Sequence, residues 1–179
     1  MEKTIIKKAM VGLAAALLAS LAGCNQPEAF DDIEGFRKFM AGTWKADNST
    51  WEFTFAPDGN LSSFHNNLDV QIVVKEGGGL KKVDDNTKLE YSIGPCQAKY
   101  VPDTGNLAVT IVTELYVLEF PNGALQGSST DTFSGKVSRQ DKTWNAKWTF
   151  RDKLIGFDSG SQKDPVTREL IFKKLPPPK

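Results

Sequence analysis

Apolar side chains along most of this chain recur every second residue, the period of a strand with one buried face. Trp51, Phe53 and Phe55 alternate with Glu52 and Thr54. Leu68, Val70, Ile72 and Val74 repeat the spacing, as do Leu89, Tyr91 and Ile93. Leu107 to Phe120 and Ala124 to Val137 read as two long strands, the second more polar. Trp144, Ala146, Trp148 and Phe150 alternate with polar partners, and Val166 to Lys174 reads as the last strand. Turn residues punctuate the runs: Asp58-Gly59, Asp84-Asp85-Asn86, Pro102 to Asn106 and Pro121-Asn122-Gly123. Gly77-Gly78-Gly79 reads as a break. One segment departs from the two-residue period. Phe30, Ile33, Phe36 and Met40 are spaced as on a helix, with acidic residues early, Arg37 and Lys38 late, and Gly42 as its stop. Such a helix suits packing on the protein, over the side or one end of the strands.

Eight to ten strands joined by tight turns, with no crossover helices, predict an all-β antiparallel meander. A meander of this kind closes into an up-and-down barrel, and the alternative is a β-sandwich. The segment Phe39-Met40-Ala41-Gly42-Thr43-Trp44, a helical turn and then Gly-x-Trp at the first strand, resembles the N-terminal motif of the lipocalins. The resemblance rests on Gly42, Trp44, Arg168 and the overall layout. It implies a lipocalin-like barrel in which Trp44 closes one end and Arg168, from the far end of the chain, packs across its indole by a cation–π contact. It also implies a cavity for a small apolar or amphipathic ligand. Trp51, Phe53, Phe55, Trp144, Trp148 and Phe150 are the side chains expected to line it, unless they simply fill the core.

The first 23 residues follow another pattern. Lys3, Lys7 and Lys8 precede an apolar run from Ala9 to Ala22, the layout of a signal peptide and too short for a transmembrane helix. It ends in Leu21-Ala22-Gly23-Cys24, which resembles the lipobox of bacterial lipoproteins. That resemblance implies cleavage before Cys24, a diacylglyceryl group on its thiol, and acyl chains such as palmitate that anchor the protein to the cell membrane or outer membrane. The organisation expected is a cleaved signal peptide (1–23), a tether (24–29), one β domain (30–175) and a Pro-rich tail (176–179).

Cleavage leaves 156 of 179 residues, with 19 basic and 21 acidic side chains. A net charge of −2 gives no basic excess to hold nucleic acid. With Cys24 acylated, Cys96 has no partner for an intramolecular disulfide, so stability must come from the core.

Chemistry is sparse. His65 is the only histidine, and no Gly-x-Ser-x-Gly elbow is present. A Cys96–His65 pair is a remote candidate, and Cys96 reads better as a small buried apolar side chain. The Asp and Asn clusters match turns rather than calcium loops. Glu114 and Asp131 lie in strands and are expected to face solvent rather than pair across the interior. No enzyme, metal or cofactor is expected. The reading is an envelope lipoprotein that binds a small ligand, with a protein-interaction module as the alternative.

Overall fold

A computed structural model describes residues 29–155 and 165–177. The predicted signal peptide and Cys24 lie outside these residues. The chain opens with α1 (Ile33–Met40). Then come β1 (Gly42–Ala46), β2 (Glu52–Phe55), β3 (Leu61–His65), β4 (Gln71–Val73) and β5 (Gly78–Lys82). The longer strands follow: β6 (Lys88–Val101), β7 (Asn106–Phe120), β8 (Gly123–Ser138), β9 (Thr143–Leu154) and β10 (Val166–Lys174).

All ten strands form one antiparallel sheet in the order β4-β3-β2-β1-β10-β9-β8-β7-β6-β5. Each strand pairs with its chain neighbour except at one place. Pairing of β1 with β10 joins the first strand to the last, with Trp44 opposite Lys174. The single interruption lies between β4 and β5, which a 3-10 turn (Val74–Glu76) connects. The result is a nearly closed up-and-down barrel.

Helix α1 packs at one end of the barrel. Asp32 caps it, accepting from the Gly35 N–H at 2.6 Å. Phe36 and Met40 are fully buried beneath it. The Phe36 ring stacks on Phe30 at 3.8 Å and meets Tyr100 edge-on at 5.1 Å. The Trp44 indole N–H donates to the Met40 carbonyl at 2.7 Å, fixing helix to strand. The Tyr100 hydroxyl donates to the Gly59 carbonyl at 2.6 Å and ties in the β2–β3 turn. The polar atoms of the Trp44 and Tyr100 rings both find a partner in these bonds, which is what lets two large amphipathic rings sit there at little cost.

Three local departures from the simple alternation have physical causes. Gly42 stands just past the helix cap Ala41 and begins β1 at φ +108°, a conformation that L side chains rarely adopt, so the chain leaves the helix there. Only Gly77 of the glycine run lies in the break between β4 and β5, and β5 passes through Gly78 and Gly79. A Cβ at Gly78 would stand 2.7 Å from the Tyr91 carbonyl oxygen, so glycine is what allows β5 to lie against β6 there. Finally, the register shifts between Ile93 and Cys96 on β6 and between Thr113 and Tyr116 on β7. Such β-bulges change which face a residue shows.

Candidate functional site: the barrel cavity

The half of the interior next to α1 is solid. Phe53, Phe133, Trp144 and Phe172 are fully buried, with ring centroids 4.9–6.4 Å apart. Such contacts leave no room for a ligand. Beyond Trp51 the interior opens into a cavity of about 180 Å³. Ile72 of β4, Leu89 and Tyr91 of β6, Ile111 and Leu118 of β7 and Phe150 of β9 supply most of its apolar wall. The β3–β4 turn, Asn66 to Leu68, borders its mouth. The bulge in β7 brings Thr113 and Tyr116 onto the same wall, although residues three apart on a regular strand face opposite ways.

Asp131 of β8 is the one charged residue in this wall among the described residues. It is 6% exposed, the only charged side chain buried to that degree among the described residues. Its Oδ1 accepts from the indole N–H of Trp148 at 2.7 Å. Burial pushes its carboxyl up to about 7; the Trp148 bond opposes that rise and the charge of nearby Asp152 adds to it. Asp152 Oδ1 accepts from the Tyr116 hydroxyl at 2.7 Å. Burial, with the Asp152 bond and charge, raises the Tyr116 phenol well above its ordinary value. Two polar atoms of wall residues, Trp51 Nε1 and the Tyr91 hydroxyl oxygen, are buried without a hydrogen-bond partner among the described residues.

Of the six side chains expected to line a cavity, the structure brings Trp51 and Phe150 to it. Phe53, Phe55 and Trp144 belong to the packed core. Trp148 reaches the site through its bond to Asp131. Asp131 itself, expected at the surface, points inward because it follows the same alternation as Phe133 and Val137, which are buried in the core. Glu114, in the bulge, is exposed, so the two do not pair. Tyr91, Tyr116 and Asp131 join the wall beyond the six expected side chains. The inward phase of β8 was the available signal for Asp131.

The cation expected over Trp44 is also different. Lys174, not Arg168, lies there, with Nζ 5.8 Å from the Trp44 ring and 5.2 Å from Phe39, and it donates to the Phe39 carbonyl. Register decides this: Trp44 pairs with Lys174, whereas Arg168 pairs with Trp148 and stacks over it at 5.9 Å. Arg168 thereby borders a second hollow of about 320 Å³ beside the β1–β2 turn, with Asp47, Asn48 and Glu169.

His65 lies on the outer face of β3, its Nδ1 3.4 Å from Glu52 Oε1 on the paired strand. Cys96 is half-buried against the core, and burial pushes its thiol up, away from the reactive thiolate. No group of three or more His, Cys, Asp or Glu among the described residues is placed to hold a metal ion.

No protein family matches the chain, and neither a curated protein nor a solved structure matches it.

Proposed function

We propose that this protein is a lipid-anchored bacterial envelope protein whose barrel binds one small amphipathic molecule. The observation behind this reading is the cavity, apolar over most of its wall but with a buried carboxyl and two polar groups that have no partner among the described residues. Each such group costs on the order of 1–3 kcal/mol when left unsatisfied, and a polar atom of a bound molecule would offset that cost. The cavity bounds the occupant. Voids of about 150 Å³ hold a molecule the size of benzene, so about 180 Å³ suits one ring with a short substituent. A diacyl lipid would not fit inside. The anchor rests on the lipobox-like sequence at Cys24.

A protein-interaction role is the second reading, and the far ends of β7 and β8 favour it. Leu115, Phe120 and Leu125 are exposed there. Native mass spectrometry of the full chain, released from detergent after expression with export in a bacterial host, separates the two. A bound small molecule, lost on unfolding, is expected. A bare polypeptide mass, repeated after incubation with envelope extracts, would overturn ligand binding. The same spectrum reads the acyl mass at Cys24.

A further inference from the structure

We infer that the cavity takes a small organic cation, an amine on an apolar body about the size of one aromatic ring, with its ammonium against the Asp131 carboxylate. The inference rests on the proposed ligand-binding role and names the class of ligand. Among the described residues Asp131 is the only charged one in the wall, and no described Lys, Arg or His borders the cavity to neutralise it. One of its oxygens is held by Trp148, and no other hydrogen bond or salt bridge from a described residue reaches the carboxyl. The titratable and charged groups around it deepen the negative field or leave it alone. Asp152 on β9 adds a second carboxyl, while Tyr91 on β6 and Tyr116 on β7 are phenols raised by burial. Arg168 on β10 is stacked on the Trp148 indole and borders the other hollow. Trp51, Tyr91, Tyr116 and Phe150 line the same space with aromatic rings, whose faces attract a cation most strongly where water is excluded.

A neutral or anionic ligand would meet the opposite conditions. It would require Asp131 to stay protonated, and binding would weaken as pH rises. An ammonium requires the carboxylate, so it displaces the proton and binds more tightly as pH rises. With the carboxyl at about 7, the ionised fraction grows about tenfold between pH 6 and pH 8.

The test is calorimetric titration of the full chain in a non-ionic detergent, with detergent alone as the blank. Three probes of one shape are used: 2-phenylethylamine, 2-phenylethanol and 3-phenylpropanoate, each up to about 10 mM. The amine is expected to bind, about tenfold more tightly at pH 8 than at pH 6, and the alcohol at least tenfold more weakly at pH 8. Asp131→Asn is expected to weaken the amine at least tenfold at pH 8 and to hold the alcohol at its pH 6 affinity at both pH values, with a cooperative thermal transition showing that the variant is folded. Alcohol or carboxylate binding as tightly as the amine, or amine affinity flat or falling with pH, would overturn the cation and leave a ligand-binding cavity standing. Silence from all three probes would overturn the cation inference. A bound molecule in the native mass spectrum would then keep the broader reading alive, and a bare chain there would end both.

Discussion

The Trp148 indole N–H donates to Asp131 Oδ1 at 2.7 Å, from the strand alongside and 17 residues further along the chain. That bond favours the ionised carboxylate, and burial favours the neutral acid. Burial wins, because the carboxyl moves up to about 7 rather than below its ordinary 3.8. The interior of the barrel thus holds a group that changes charge near neutral pH.

Its effect on stability has a definite sign. The folded state holds the proton more tightly than the unfolded chain does. The stability linked to Asp131 is therefore fully present below about pH 4 and is lost as pH rises through about 7. Asp131→Asn keeps an oxygen for the Trp148 bond and removes the buried charge. Denaturant titration is expected to find the variant about 2–4 kcal/mol more stable than wild type at pH 8, and within about 1 kcal/mol of it at pH 4. An equal difference at both pH values would show that folding does not raise the Asp131 carboxyl above its value in the unfolded chain.

Tyr91→Phe is a second stabilising change. The Tyr91 hydroxyl is buried without a partner among the described residues, so folding strips its water and gives nothing back. Its removal is expected to raise stability of the empty protein by about 1 kcal/mol. A loss of similar size, read by thermal denaturation, would mean that the hydroxyl has a partner in solution, a water molecule above all.

The sequence made the barrel legible because period-2 alternation and turn residues are local signals. Trp51, Phe53 and Phe55 predict β2, and Trp144 to Phe150 predict β9, with the right face inward. The site was less legible, because it depends on relations between strands. Whether Trp144 or Phe150 meets open space is decided by how far along the barrel the aromatic packing extends, which no single strand encodes. Thr113 and Tyr116 share a wall only through a bulge. The exchange of Lys174 for Arg168 over Trp44 has the same origin: both are basic residues of the last strand, and only the β1–β10 register tells them apart.

That exchange is testable. Lys174 Nζ donates to the Phe39 carbonyl and lies over two aromatic rings, joining the last strand to the end of α1. Lys174→Met keeps most of the packing and removes the charge and the bond. It is expected to cost about 1–2 kcal/mol. Arg168→Met, whose cation lies over Trp148 in an exposed position, is expected to cost under about 1 kcal/mol. Denaturant midpoints of the two variants give the comparison, and a larger loss at Arg168 would contradict the register.

The β8–β9 ladder closes the wall that carries both Asp131 and Trp148, and Gly135 sets its spacing. Gly135 faces Ala146 in that ladder, and a Cβ there would overlap the Asn145 carbonyl oxygen. The obstacle is backbone, so no side chain can swing aside. Relief requires β8 and β9 to separate along a run of paired residues from Gly127 to Ser138. Gly135→Ala is therefore expected to cost at least about 3 kcal/mol or to prevent folding, at the upper end of single-residue effects. Gly77 is the control. It sits at φ +68° with nothing within 4 Å of an added Cβ, so Gly77→Ala meets only backbone strain, about 1–2 kcal/mol. If thermal denaturation ranks the two variants the other way round, β8 and β9 do not approach as closely in solution as the ladder requires. The placement of Asp131 beside Trp148 would then have to be revised with it.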